Sequence, residues 1–290
     1  MTLVYEPGKI FVDVTAVLPV QNHDLIKERA AGVDLGVIHP FAAMCESEAF
    51  LASGRQLRAE ERLHLEDNKQ RQRKMSSKRH GRGVVGSRRY KRLRHAKQRA
   101  EARHKRKIRQ AHHEVAGELI DWSIRNRVGK LVVGDPAGIT EKVVGRRHNL
   151  RLRQWRRTHL VKCLKDKAEL NGIEVEMVNE RGTSSTCPSC HEKVSKPRSR
   201  NFSCSCGFTG HRDLVGAQNI AARGGGGSSG FKPLVITHRR AGNPPARRDR
   251  RRHLYDARRS RPAPGRPGSH PGSRSPKGKP KGRGPQRFVG

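Results

Sequence analysis

Cys187-Pro-Ser-Cys190, then Cys204-Ser-Cys206-Gly after thirteen intervening residues, then His211-Arg-Asp-Leu-Val-Gly-Ala-Gln-Asn-Ile220 form the stretch that decides the fold. Each cysteine pair can present two thiolates on a tight turn, and four thiolates suit tetrahedral zinc. The second pair is Cys-x-Cys, one residue shorter than the commoner Cys-x-x-Cys, which tightens the bite without excluding the metal. His191 is a possible substitute ligand beside Cys190. The chain opens on Met1-Thr-Leu-Val-Tyr-Glu-Pro7, which has no basic region followed by an apolar run and so no visible secretory signal. Clustered cysteines in such a chain point to metal rather than disulfides. Cys45 and Cys163 stand apart from the cluster. The residues from 211 to 223 read as a short helix with Asp213 at its start.

Upstream, Ile173-Glu-Val-Glu-Met-Val-Asn179 alternates as a strand does, and Leu150–Leu170 reads as an amphipathic helix closed by Asn171-Gly172. In that helix Leu152, Trp155, Leu160, Cys163 and Leu164 fall on or near one face. Lys130-Leu-Val-Val-Gly-Asp135 reads as a buried strand stopped by Pro136. Residues 1–20 read as a strand pair turned at Pro7-Gly8. A strand over 29–35 ends on an acid, and further short strands are expected at 38–45 and 48–52.

Residues 54–126 read as two long helices broken near Gly81–Gly86. From 69 to 109 there are nineteen Lys or Arg and a single acid, Glu101. Ordinary surface helices mix their signs, so this bias suggests a rail for phosphate backbone, with Arg88, Arg92, Arg99, Lys105 and Arg109 as candidate contacts. Apolar residues return at Val115, Leu119, Trp122 and Ile124, where the second helix should meet a core. The whole chain carries a formal net charge of +37 over 290 residues, which calls for a polyanionic partner. No apolar run reaches the ~18 residues needed to span a bilayer. A cytoplasmic, nucleoid-associated location is expected, without a membrane partner. Gly224–Gly230 reads as a flexible linker. Residues 231–290, with eighteen basic residues and two acids, read as a disordered basic tail.

Single acids at strand ends stand out in so basic a chain. RNase H-like nucleases hold two divalent metals between carboxylates on separated elements. The acids in question here are Asp34 in Gly32-Val-Asp-Leu-Gly36, Asp135 after the central strand, and Asp213. Each alone is as readily a cap or turn residue.

Gly32-Val-Asp-Leu-Gly36 resembles the first RuvC motif of the TnpB family, transposon-encoded relatives of the type V CRISPR effectors. Thr183-Ser-Ser-Thr-Cys-Pro-Ser-Cys190, Phe202-Ser-Cys-Ser-Cys-Gly-Phe208 and His211–Ile220 resemble that family's zinc ribbon running into its third RuvC motif. The resemblance covers roughly residues 1–223. It implies an α/β, RNase H-like (RuvC) domain with a long basic helical insertion, an inserted zinc ribbon and a disordered basic C-terminal tail. Residues 1–28 would be an N-terminal β remnant and 29–182 the nuclease core, with its basic helices at 54–126. The ribbon would span 183–210, the last RuvC helix 211–223, and the linker and tail 224–290. It further implies an endonuclease that cuts double-stranded DNA matched to a guide RNA, with catalytic Mg²⁺ and structural Zn²⁺ held by Cys187, Cys190, Cys204 and Cys206.

Two departures from the family pattern bear on activity. The family carries an N-terminal recognition region longer than the 28 residues ahead of Arg29, so a shortened member is expected. Its middle motif places Glu at the end of the central strand, where this chain reads Val133-Gly-Asp-Pro136. The Glu position aligns with Gly134 or Asp135, and alternation along a strand turns Asp135 away if Gly134 is the match. Glu180, at the end of the strand 173–179, is long enough to reach inward instead. Glu180, Asp135 and neither remain open as the source of a third carboxylate beside Asp34 and Asp213. An alternative function is a nuclease-impaired or truncated nucleic-acid-binding remnant of the same family.

Overall fold

In the computed structural model, residues 1–77, 86–136, 145, 149–150, 152, 154–195, 200–226 and 233–240 are described. The chain divides into two units, Met1–Pro245 and Ala246–Gly290. All described residues fall in the first, so the tail expected beyond residue 240, the linker from 227 to 230 and the break near Gly81 lie outside them.

Pro7-Gly8 turns as its sequence suggests. Gly8 takes φ +84°, and β1 (Thr2–Glu6) pairs antiparallel with β2 (Lys9–Asp13). The central sheet uses β3 (Ile26–Asp34), β4 (Ala42–Cys45), β5 (Glu48–Ser53), β6 (Val128–Asp135), β7 (Glu174–Asn179) and β10 (Val235–Arg240) in the order β10-β5-β4-β3-β6-β7. β3, β4 and β5 run antiparallel as a meander, while β6 and β7 add parallel to β3. The parallel strands are covered on both faces, which explains the unbroken apolar run Leu131-Val-Val133.

Helices α1 (Arg55–Ser76) and α2 (Arg88–Arg125) form the long hairpin read from the sequence. Ser87 caps α2 by accepting the Tyr90 backbone N–H at 3.2 Å, a contact worth about 1 kcal/mol. No residue of α1 is buried. Its acids tie it to α2 instead: Glu60 pairs with Lys107 at 2.7 Å and Glu61 with His104 at 3.0 Å. The far end of α2 enters the core, where Val115, Leu119 and Trp122 are buried with α3 (Arg157–Leu170) against β6. α4 (Arg212–Arg223) covers the other sheet face.

Two expectations need correction. The helix read over 150–170 divides: α3 begins at Arg157, and Trp155 and Arg156 are not helical. Within the residues assigned to the basic tail, Leu234-Val-Ile supplies an edge strand. β10 pairs parallel with β5, Val235 opposite Glu48 through Arg240 opposite Ser53. Composition averaged over sixty residues hid that short apolar run.

Candidate functional site

Strand register sorts the acids. Val33 lies opposite Val133 in the β3–β6 ladder, so Asp34 falls opposite Gly134. Gly134 in turn lies opposite Val178 in β7, and Asp135 opposite Asn179. Side chains alternate along a strand, so Asp34, position 134 and Glu180 share one face while Asp135 takes the other. The first face looks at α4. A Cβ on Gly32 would meet the Ala217 carbonyl oxygen at 1.9 Å, so only glycine lets helix and strand come this close. The second face is the apolar core under α2 and α3. There Asp135 pairs with Arg157 Nη1 at 2.5 Å, its side chain 42% exposed.

Glu180 therefore joins Asp34, and Asp135 does not. A Cβ on Gly134 would meet Glu180 Oε2 at 2.8 Å, so Glu180 fills the space that a central-strand side chain would need. The backbone around Glu180 is fixed from both sides. Thr183 donates its N–H and Oγ1 to the Glu180 carbonyl at 3.1 and 2.8 Å. Arg223, at the end of α4, donates to the carbonyls of Asn179 and Arg181.

Asp213 sits in the first turn of α4, where the helix dipole favours an acid; its charge acts on Asp34, and its ligand atoms group with those of His39 and His211 within 4.8 Å. It is buried, accepts from Arg200 Nη1 at 2.6 and 2.5 Å, and lies 2.7 Å from His39 Nδ1. Burial acts to raise its carboxyl, but the His39 hydrogen bond and the Arg200 charge outweigh that and hold it below the ordinary value. Burial pushes the Asp34 carboxyl well above the usual carboxylate range, and the charges of Glu180 and then Asp213 push it further. Such a cluster repels itself until a cation enters. The carboxylates of Asp34 and Glu180 offer oxygens that suit a hard divalent ion such as Mg²⁺, and Asp213 adds an oxygen beside His39 and His211. Gly216 also faces Asp34: a Cβ there would sit in ordinary contact with Asp34 Cγ, at 3.4 Å. His39, Arg200 and Arg223 carry no sequence signal: each reaches the site from a loop or helix end distant in the chain.

The cysteine cluster fixes where α4 begins. Cys187 Sγ lies 3.6 Å from Cys206 Sγ, and Cys190 Sγ lies 3.5 Å from Cys204 Sγ, with all four sulfurs within 4.8 Å of one another. The edge of a tetrahedral zinc–thiolate site is about 3.8 Å, given Zn–S near 2.3 Å. The four thiols thus fit zinc without rearrangement. His191 is not part of the group. The Cys206 backbone N–H holds the Cys204 thiol down to about 7, against a smaller rise from burial. Val215 of α4 packs into the ribbon's apolar cluster with Cys187, Phe202 and Cys204. β8 (Asn201–Ser203) and β9 (Thr209–His211) form the hairpin leading into α4. Asn219 Nδ2 donates to the Thr183 and Thr186 carbonyls at 2.7 and 2.8 Å. Ribbon and Asp213 helix are one packed unit.

The proposed rail residues Arg88, Arg92, Arg99, Lys105 and Arg109 are all exposed on α2. They are not equivalent. The Arg99 stem lies against Gly8, and Arg109 sits 3.9 Å from Glu6. No helix among the described residues is long and apolar enough to cross a membrane.

Two family models match in chain order. Residues 12–140 match a model described as "Probable transposase" (OrfB_IS605), and residues 158–220 match the "Cas12f1-like, TNB domain". A TnpB-like protein of Methanocaldococcus jannaschii is 31% identical over 121 residues, 41% of this chain and 43% of that protein. The fold is similar to a CRISPR-Cas12f ternary complex solved by cryo-EM, with TM-score 0.53 and 22% identity over 73% of this chain and 41% of that one. A Cas12f1–sgRNA–target DNA complex is similar at TM-score 0.48 and 21% identity over 72% and 51% of the two chains. The chain thus spans about half or less of the length of these relatives. The two models together account for about two thirds of the chain and meet the sheet and the cysteine cluster where the sequence motifs lie, so both halves of the described fold are similar to TnpB-like proteins.

Proposed function

We propose that this chain is an RNA-guided, metal-dependent DNA endonuclease in which Asp34, Glu180 and Asp213 form the catalytic carboxylate set. The convergence of these carboxylates on one sheet face, with Asp34 pushed well above its ordinary value by burial and by its acidic neighbours, carries the reading. These residues would hold Mg²⁺, which stabilises the attacking and leaving oxygens of a phosphodiester when bound. Asp34 and Glu180 supply oxygen ligands from neighbouring strand ends. Asp213 supplies another from α4, and His39 and Arg200 keep it ionised and oriented. Asp135 is bound to Arg157 on the opposite face and has a structural role.

Structural Zn²⁺ at Cys187, Cys190, Cys204 and Cys206 would set the position of α4 and so of Asp213. The exposed basic face of α2, through Arg88, Arg92, Arg99, Lys105 and Arg109, would follow a phosphate backbone. The partners proposed are a guide RNA and a double-stranded DNA target. The Cas12f1 relative named above was solved with sgRNA and target DNA, in keeping with that choice.

The test reads metal binding apart from turnover. Mn²⁺ binding followed by electron paramagnetic resonance should weaken by about 10–100-fold in Asp34→Asn and Glu180→Gln and stay unchanged in Asp135→Asn. Equal binding by all three variants would contradict the assignment. Mg²⁺-dependent cleavage of guide-matched DNA by the parent supports the enzyme reading. Binding of nucleic acid and of Mn²⁺ with no cleavage would favour the nuclease-impaired alternative.

A further inference from the structure

A second group of metal-ligating side chains lies between α2 and α3, remote in sequence from the ribbon. His113 on α2 and His159 and Cys163 on α3 bring one ligand atom each within 4.8 Å of the others. Cys163 Sγ is 3.7 Å from His113 Nε2 and 3.5 Å from His159 Nδ1. With Zn–S near 2.3 Å and Zn–N near 2.0 Å, the sulfur–nitrogen edge of a tetrahedral zinc site is about 3.5 Å. His113 Nε2 at 3.7 Å comes near that edge, and His159 comes near it at 3.5 Å through Nδ1 or 4.0 Å through Nε2.

The local sequence accounts for the geometry. His159 and Cys163 are four residues apart on one helix and so stand one above the other on the same face. His113 faces them from α2. Cys163 is buried in the core cluster that also holds Ala116, Leu160, Leu164 and Ala168. Packing alone does not call for imidazoles and a thiol together in that seam. His159 can also satisfy the partner that a ligating histidine needs. His112 Nδ1 lies 3.0 Å from His159 Nδ1, so Nδ1 bonds His112 and the metal falls to His159 Nε2, 4.0 Å from Cys163 Sγ. A cavity of about 220 Å³ lies beside the group, lined by His112 and His159. Arg109, Arg156 and Lys105 line the same cavity together with Glu6. The donor set itself, one thiolate and two imidazoles, suits zinc rather than an oxygen-seeking dication.

We infer that His113, His159 and Cys163 form a second zinc site that staples the basic helix α2 to α3, with a fourth position left for water. This is independent of the carboxylate site and of the cysteine cluster.

The probe is zinc itself. Full-length protein is incubated with excess Zn²⁺, passed over a mild chelator and assayed for bound metal, with far-UV circular dichroism to report the fold. Because His113 is exposed, His113→Gln tests the site without disturbing the core. His113→Gln and Cys163→Ala should each hold about one zinc fewer than the parent, with unchanged helicity. His64→Gln, which removes a histidine outside the group, should hold as much as the parent. Zinc contents of the parent and His113→Gln that agree would overturn the site, as would an equal loss in His64→Gln. A Cys163→Ala variant that does not fold leaves the decision to His113→Gln. Loss of the ribbon zinc would lower all variants alike and leave these differences intact.

Discussion

The carboxylate of Glu180 stands where a side chain on Gly134 would have to be: a Cβ at position 134 would lie 2.8 Å from Glu180 Oε2 and 3.1 Å from Glu180 Cβ. One acid position is exchanged for another on the neighbouring strand, and the two cannot both be filled. The same Cβ would also meet Ile220 Cδ1 at 2.7 Å. Gly134→Ala should therefore cost about 1–3 kcal/mol, by crowding. It should also displace Glu180 and lower cleavage while the fold persists. Urea unfolding and a cleavage assay on the same preparation check this, and a stable, fully active Gly134→Ala would contradict it.

The metal-free carboxylate cluster should limit stability. Asp34 has a folded pKa raised above its unfolded value, so its protonated form favours the fold. That contribution is present at low pH and is lost as pH rises through the raised folded value. Asp34→Asn should then melt higher than the parent in Mg²⁺-free buffer above that pH, by about 2–4 °C for each kcal/mol of repulsion relieved. The gain should shrink on acidification and on adding Mg²⁺ to the parent. Thermal melts across pH read this directly, and a pH-independent difference would contradict it.

Removing one ribbon thiolate should move the Asp213 helix. Val215 and Asn219 join α4 to the ribbon, so Cys187→Ser should lose about one zinc and speed hydrogen exchange across α4. Exchange in β6 should be unchanged. Zinc retention, or protection of α4 at the parent level, would contradict the coupling.

Charge reversal on α2 tests the rail. Arg88, Arg92 and Lys105 are exposed, and α2 has no acid in its first turn, so Arg88→Glu even suits the helix dipole. The triple reversal should weaken binding to unrelated duplexes and single strands alike. It should also flatten the salt slope by about 0.9 for each duplex phosphate that the helix no longer neutralises. A sequence-selective effect would count against phosphate binding. Arg99 and Arg109 are poorer test positions, because one lies against Gly8 and the other near Glu6.

What could be read from the chain is what short-range chemistry encodes. Thiol spacing gave the cysteine cluster, Pro7-Gly8 the first hairpin, and the return of apolar residues at Val115 the depth of α2 in the core. Register was legible in part: alternation turns Asp135 away if Gly134 matches the family's Glu, and Glu180, Asp135 and neither stay open until the ladder register is known. The rest depends on interactions between distant segments. His39 is 174 residues from Asp213, and no local pattern marks it as a partner. Arg223 matters through backbone carbonyls, which any residue provides. β10 was obscured because its six residues include basic side chains, and an edge strand has no second neighbour to demand an apolar one. The division before α3 was missed because Trp155 packs against the core without being helical.

The relocation of the third carboxylate is tested most directly by moving it back. Cleavage of guide-matched duplex DNA in Mg²⁺ is compared for the parent, Glu180→Ala, Asp135→Asn, and Gly134→Glu combined with Glu180→Ala. The account predicts a loss of roughly 100-fold or more in Glu180→Ala, near-parent activity in Asp135→Asn, and partial recovery when Gly134→Glu, still crowded by Ile220 Cδ1, takes the space of the Glu180 carboxylate. Parent-level cutting by Glu180→Ala together with an inactive Asp135→Asn would contradict it.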